Sequence, residues 1–69
     1  MNEQLPAEVK ESLYNLAYER KLLGLTREEL QSATGVRAEI IRAYEKGTGC
    51  PTKSQYNKLA AFFEWRAWQ

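Results

Sequence analysis

Hydrophobic residues recur along this chain at intervals of three and four positions, with polar or charged residues between them. This is the period of an amphipathic α-helix, and no segment shows the alternation of a half-buried strand. The pattern predicts one all-α domain of four to five helices over the 69 residues. Its helices are expected at about 7–23, 27–33, 37–46 and 53–64, after a frayed tail at 1–4.

One side of each predicted helix is expected to face a common core. The inward positions are Val9, Leu13, Leu16, Ala17, Arg20 and Leu23, then Leu30 and Ala33, then Val36, Ile41 and Tyr44, and finally Tyr56, Leu59, Ala60 and Phe63. A chain this short buries only about 60% of its extended surface, so the core has to be efficient or be completed by a partner.

Local signals mark the ends of these helices. Gly24 is a natural stop after the first helix. Thr26 with Glu29 predicts a capping box, in which each residue satisfies a backbone N–H of the other. Thr52 with Gln55 predicts a second capping box before the last helix.

Composition excludes several classes of protein. The chain has one cysteine, Cys50, and no histidine, so neither an intramolecular disulfide nor an ordinary zinc site is expected. No apolar run approaches the roughly 20 residues that cross a bilayer, and no signal peptide is recognised. We therefore expect no metal, no cofactor and no membrane contact, and a cytoplasmic location.

No arrangement of residues suits catalysis. Glu28 and Glu29 are adjacent at a helix start, so their side chains point in different directions and do not form a catalytic pair. Cys50 has no histidine to activate it. The segment 47–49, Gly-Thr-Gly, lacks the lysine and the preceding strand of a phosphate-binding loop. The sequence therefore predicts that the chain is not an enzyme.

Charge is distributed unevenly although the net charge is only +1. Residues 1–30 carry four basic and six acidic side chains, whereas residues 31–69 carry six basic and three acidic ones. The second half therefore has the weak positive balance that contacts with phosphate require.

The most informative segment is 26–51, which predicts two short helices joined by a turn at Gly35 and a stop at Gly47. Glycine accepts the positive φ that such a turn needs. Two helices joined this closely are the arrangement by which a protein lays one helix in the DNA major groove.

This segment and its flanks resemble the Cro/CI-type helix-turn-helix family, also called XRE or phage-repressor-like. The resemblance covers about residues 10–65, without a gap, through Gly24-Leu25-Thr26, Glu29-Leu30, Gly35-Val36, Ile41, Tyr44-Glu45-Lys46-Gly47, Pro51, Leu59-Ala60 and Phe63. It implies a lambda-repressor-like fold that places helix 37–46 in the major groove of an operator. It also implies a sequence-specific transcriptional regulator of bacterial, phage or plasmid origin, either a repressor or an activator.

Members of the family often pair an arginine late in the first helix with a glutamate near the end of the recognition helix. Arg20 and Glu45 stand at these positions. Helical geometry puts Glu45 near the inward side of Ile41 and Tyr44, so a half-buried structural ion pair is expected.

Four positions depart from the family pattern. Gln31 stands where alanine is usual, Thr34 where a large aliphatic residue is usual, and Lys53 where an apolar residue is common. Arg37 replaces the serine or threonine that often caps the recognition helix, so that helix start is expected to be poorly capped.

The predicted recognition helix has Ile41 at the centre of its buried face, which puts Glu39, Arg42, Ala43 and Lys46 opposite. Arg42 is the candidate for direct readout, because a guanidinium bridges guanine O6 and N7. Glu39 either accepts from cytosine N4, repels phosphate, or pairs with Arg42 on the surface.

Other positions of this helix are open to two interpretations. Ile40 either touches a thymine methyl or packs beside Tyr44. Ala38 and Ala43 offer a base no side-chain hydrogen bond, so readout is short or depends on DNA shape.

Phosphate contacts are expected at Arg27, Lys46 and Thr48, and Arg37 contacts either a phosphate or a base. Arg27 and Lys46 are alternatively ordinary surface charges.

Trp65 and Trp68, with Phe62 and Phe63, give the chain an aromatic ending. These side chains either fold back to complete the core or form a homodimer interface, since tryptophan is enriched at interface centres. Stacking on bases is a third role. The alternative function is a protein-interaction module or antitoxin-like adaptor on the same fold, with weak or lost DNA binding.

Overall fold

The computed structural model describes residues 5–69, so the frayed tail predicted at 1–4 lies outside the described residues. In this part of the chain there are five helices and no strand: α1 (Ala7–Tyr14), α2 (Leu16–Leu22), α3 (Arg27–Thr34), α4 (Ala38–Lys46) and α5 (Lys53–Phe63). The expected all-α class is confirmed. None of these helices is both long enough and apolar enough to cross a membrane.

The prediction of one continuous helix over 7–23 is wrong, because Asn15 separates α1 from α2. Asn15 has φ −97° and ψ 6°, and its side-chain Nδ2 donates to the carbonyl of Glu11 at 3.1 Å. Asparagine competes in this way with the backbone amides of a helix, which weakens the helix locally. The other three helices occur where they were predicted, each with one end displaced by a single residue.

All five helices contribute to one core. Its buried members are Val9, Leu13, Leu16, Leu30, Val36, Ile41, Tyr44, Tyr56, Leu59 and Ala60. The inward placement of Leu23 and Ala33 is wrong. Leu23 is 58% exposed because α2 ends at Leu22. Ala33 is exposed, and α3 buries Leu30 alone.

The two predicted capping boxes differ in outcome. At the start of α3 both hydrogen bonds are present, from the Glu29 N–H to Thr26 Oγ1 at 3.0 Å and from the Thr26 N–H to Glu29 Oε1 at 2.8 Å. At α5 the Thr52 hydroxyl accepts from the Gln55 N–H, but the Gln55 side chain does not return the bond. Gln55 Oε1 instead accepts from the Tyr44 hydroxyl at 2.6 Å, which joins α5 to α4.

Burial of Tyr44, with a smaller effect from Cys50 nearby, raises the pKa of its phenol. The hydroxyl therefore stays protonated and able to donate to Gln55 at neutral pH. This hydrogen bond fixes the orientation of a core ring that lies between two helices.

The segment after α5 folds back over the core. Glu64 adopts φ 63° and reverses the chain, after which the Trp65 ring stacks on Tyr56 and on Phe63 with centroids 5.7 and 5.0 Å apart. The Trp68 backbone pairs with the Asn57 side chain through hydrogen bonds of 2.8 and 3.0 Å. Both tryptophans are half-buried in their own chain, and a dimer formed through them stays a prediction.

Lys53, one of the departures from the family pattern, also contacts this segment. Its Nζ lies 5.9 Å from the centre of a Trp68 ring. A cation over an aromatic face is a favourable contact, so a lysine is accommodated where an apolar residue is common.

Candidate nucleic-acid interface

The connection between α3 and α4 is short and is held by several hydrogen bonds. Gly35 ends α3 with φ 85°, and its N–H donates to the Gln31 carbonyl at 2.7 Å. The Thr34 hydroxyl donates to the Leu30 carbonyl at 2.8 Å and accepts from the Val36 N–H at 3.1 Å. Thr34 therefore stabilises the turn through hydrogen bonds that the aliphatic residue usual at this position does not make.

The start of α4 is capped from outside the helix, so the expectation of a poorly capped helix is wrong. Arg37, at the N-cap position, makes no side-chain cap. The N–H of Ala38 instead donates to Gln31 Oε1 at 2.8 Å, across the turn from α3. Two departures from the family pattern thus compensate for each other, because glutamine at 31 supplies the acceptor that arginine at 37 lacks.

An open groove runs between α3 and α4 on the side away from the core. We call it the α3–α4 groove, and its lining residues are Arg27, Glu28, Gln31, Arg37, Ala38, Glu39 and Arg42. It brings together five of the nine residues predicted to contact DNA and adds Glu28 and Gln31. Helical spacing could have predicted both. Gln31 follows Glu28 by three positions and Arg27 by four, and residues at these spacings lie on the same side of a helix.

The other four predicted contacts lie outside the lining of the groove. Ile40 is half-buried and packs against the core, which favours the second of its two interpretations. Ala43 is also half-buried. Lys46 and Thr48 are exposed at the far end of α4, where the Thr48 N–H donates to the Ala43 carbonyl at 2.9 Å and Gly47 adopts φ 77°.

Charge in the groove is mixed but has a positive excess of one, since it holds three arginines and two glutamates. Arg37 Nη2 lies 2.9 Å from Glu39 Oε2, and both side chains are about 70% exposed. The alternative that pairs Glu39 with Arg42 is therefore wrong for the free protein. Among residues 5–69 Arg42 has no ion-pair partner, which leaves its exposed guanidinium available to a ligand.

Behind the groove, Glu45 binds two arginines. Arg20 Nε lies 2.7 Å from Glu45 Oε2, and Arg20 Nη2 donates to Oε1 at 3.2 Å. Arg27 Nε lies 2.9 Å from Glu45 Oε1, although more than a third of the Arg27 side chain remains exposed. Arg20 Nη1 also donates to the Leu25 carbonyl at 2.7 Å, so this buried cluster joins α2, α3 and α4.

In a comparison with protein families, residues 16–64 match the family described as Helix-turn-helix. The match covers more than two thirds of the chain. The chain belongs to the helix-turn-helix family. It is a family of DNA-binding domains of the Cro/CI or XRE type, so the resemblance seen in the sequence is confirmed. The comparison with curated proteins and the comparison with solved structures gave no match.

In this helix-turn-helix domain the buried cluster also determines the ionisation of its carboxylate. Burial opposes ionisation of Glu45, whose side chain is only 3% exposed. The hydrogen bonds and positive charges of Arg20 and Arg27 outweigh burial and hold the pKa of Glu45 below its usual value. Glu45 therefore stays charged at neutral pH and keeps both arginines in place.

The helix-turn-helix domain also has an apolar surface that the sequence did not reveal. Tyr18, Leu22 and Leu23 are 67%, 69% and 58% exposed, and Phe62 beside them is 37% exposed. Sequence periodicity predicts that Leu23 is buried, and of these four residues only Phe62 belongs to the aromatic ending predicted as a possible interface. Within residues 5–69 no group of His, Cys, Asp or Glu side chains is arranged to hold a metal ion.

Proposed function

We propose that this helix-turn-helix domain is a sequence-specific transcriptional regulator that binds an operator with α4 in the major groove. The observation that carries the proposal is the α3–α4 groove, where three arginines lie on the solvent side of the motif. The opposite side of α4 is buried through Ile41 and Tyr44. This division between a buried side and a basic exposed side is what docking of a recognition helix requires.

Each predicted contact has a role that follows from its chemistry. Arg42, exposed and without an ion-pair partner in residues 5–69, is proposed to read guanine through its guanidinium. Arg27, Arg37, Lys46 and the Thr48 backbone are proposed to bind phosphates and fix the position of α4. Glu39 either accepts from cytosine or remains paired with Arg37.

The domain is proposed to act in the cytoplasm, where the DNA of a bacterium is found. Its cysteine, Cys50, is a free and exposed thiol. A reducing compartment keeps such a thiol reduced, and the proposed location is compatible with that chemistry.

The test is an NMR titration of the isotope-labelled full chain with a mixed-sequence duplex, at low and at moderate salt. Non-specific DNA binding is electrostatic and weakens steeply as salt rises. We expect salt-sensitive shifts at Arg27, Gln31, Arg37–Lys46 and Thr48, whereas the amides of α1 should not move. Absence of shifts at low salt would contradict the proposal.

A protein-interaction module is the second candidate, and the exposed apolar side chains of Tyr18, Leu22, Leu23 and Phe62 favour it. Contiguous apolar surface of this kind often marks a site of protein contact. The same titration separates the candidates, because an adaptor without DNA binding would show no shifts with the duplex. The two functions also coexist if the apolar surface binds a partner while α4 holds DNA.

A further inference from the structure

Gln31 uses one end of its side-chain amide to cap α4. The bond partner is a backbone N–H, which is a donor, so the atom that accepts at 2.8 Å is Oε1. This fixes the orientation of the amide, and the Nε2 group with its two N–H donors is the other end. In residues 5–69 no hydrogen bond from Nε2 is formed within the protein.

The side chain lies in the α3–α4 groove, next to Ala38. Ala38 stands at the first position of α4, the helix proposed to enter the major groove, and its methyl group forms no hydrogen bond. Gln31 is exposed beside it, and its Nε2 group carries two neutral N–H donors. Oxygen and N7 atoms of DNA are acceptors, so an N–H aimed at them is chemically complementary.

We propose that Gln31 is a positioning residue of the DNA interface, whose Oε1 holds the start of α4 while its Nε2 donates to an acceptor of bound DNA. This inference rests on the proposed function. A single amide then couples the position of the recognition helix to the nucleic acid, because Ala38 and the DNA acceptor share one rigid planar group. The residue supplies a polar contact that α4 itself lacks at position 38.

A charge-balanced pair of substitutions separates the two roles. Gln31→Glu keeps an acceptor for the Ala38 N–H but removes both donors, and Glu28→Gln in the same groove restores the charge. Gln31→Met keeps the length of the side chain and removes acceptor and donors together. Glu28→Gln alone is the control for the charge change.

Thermal unfolding tests the cap. Gln31→Met should lower the midpoint by about 4–8 °C, as expected for loss of one helix cap from a domain of this size. The double variant Glu28→Gln/Gln31→Glu should unfold within a few degrees of the wild-type chain. In NMR the Ala38 amide should lose protection from exchange in Gln31→Met only. An unchanged midpoint in Gln31→Met would overturn the capping role.

Affinity for a mixed-sequence duplex tests the donor. The double variant should bind about three- to tenfold more weakly than wild type, the usual effect of one hydrogen bond. The dependence of affinity on salt should not change, because no charged contact is lost. Wild-type affinity in the double variant would overturn the donor role. So would a salt slope lowered by about one, which would show that the new glutamate had neutralised an arginine.

Two further comparisons identify the acceptor and keep the inference separate from the proposed function. A duplex built with 7-deazapurines lacks N7. If N7 is the acceptor, the wild-type chain and the double variant bind this duplex with equal affinity. If the acceptor is an oxygen, the double variant still binds it more weakly. Failure of the wild-type chain to bind any duplex at low salt would overturn the proposed function. Normal wild-type binding with an unaffected double variant would overturn the donor role of Gln31 alone.

Discussion

Glu45 holds Arg20 through two hydrogen bonds, with Arg20 Nε 2.7 Å from Glu45 Oε2 and Nη2 3.2 Å from Oε1. The side chains are 7% and 3% exposed, so the pair is almost fully removed from solvent. It ties the end of α2 to the end of α4, and Arg27 Nε extends it to the start of α3. One carboxylate therefore links α2, α3 and α4.

Glu45→Ala should lower the free energy of unfolding by about 3–5 kcal/mol, because it leaves the buried Arg20 without its partner. Urea denaturation followed by circular dichroism measures the change. The matched control is Glu8→Ala, which removes a surface ion pair with Arg66 whose N–O distance is 2.9 Å. That pair is more than 60% exposed on both sides, so its loss should cost within about 1 kcal/mol. Equal effects of the two substitutions would contradict a structural role for Glu45.

Acid should remove the contribution of Glu45 to stability. Its pKa is lowered in the folded protein, so the stabilisation is complete above the unfolded-state pKa of about 4.3. It is lost as the pH falls from there through the lower pKa of the folded state. The difference in unfolding free energy between wild type and Glu45→Gln should therefore shrink with decreasing pH, since glutamine does not titrate. A difference that stays constant between neutral pH and pH of about 3 would show that the pKa is not lowered.

Arg42→Ala should relax the sequence preference of the domain. A bidentate contact with guanine discriminates by about 1–3 kcal/mol, so affinity for a selected operator should fall more than affinity for mixed-sequence duplex. Lys46→Ala is the control, because loss of a phosphate contact weakens all sequences alike and lowers the salt slope by about one. Arg27→Ala is less suitable, since it also disturbs the hydrogen bonds of Glu45. The reverse pattern would exchange the roles assigned to Arg42 and Lys46.

Trp65→Ala should destabilise the single chain by about 2 kcal/mol, because the ring stacks on Tyr56 and its Nε1 donates to Glu19 at 3.1 Å. Trp65→Phe, which keeps an aromatic ring and removes the donor, should cost less. Both measurements are made at several protein concentrations. If the tryptophans form a dimer interface, the unfolding midpoint rises with concentration, whereas packing within one chain leaves it constant.

Local chemistry explains which features the sequence predicted. The capping box of Thr26 and Glu29 is local, and so is the positive φ of Gly35 and Gly47, so neighbouring residues contain the information. The break at Asn15 is also local, but the hydrophobic stripe on both sides of it continued without interruption. Periodicity therefore predicted one helix where the backbone forms two.

Contacts between distant residues explain the rest. Gln55 was assigned to a local capping box, yet its carbonyl oxygen accepts from Tyr44 once α4 and α5 pack together. Arginine at position 37 predicts a poorly capped start of α4, yet Gln31 on the other side of the turn accepts from the Ala38 N–H. A side-chain oxygen accepts from whichever donor the fold brings within reach, and sequence spacing does not measure that distance.

The sequence by itself determined the all-α class, the family, the two helices of the motif and the basic residues that α4 carries, because periodicity, caps and turn glycines act over a few residues. Only the tertiary structure decided which of those residues share the α3–α4 groove, that Glu45 binds Arg27 as well as Arg20, and that the exposed apolar surface lies at Tyr18, Leu22, Leu23 and Phe62. Each of these depends on the angle at which one helix packs on another, and the core as a whole sets that angle.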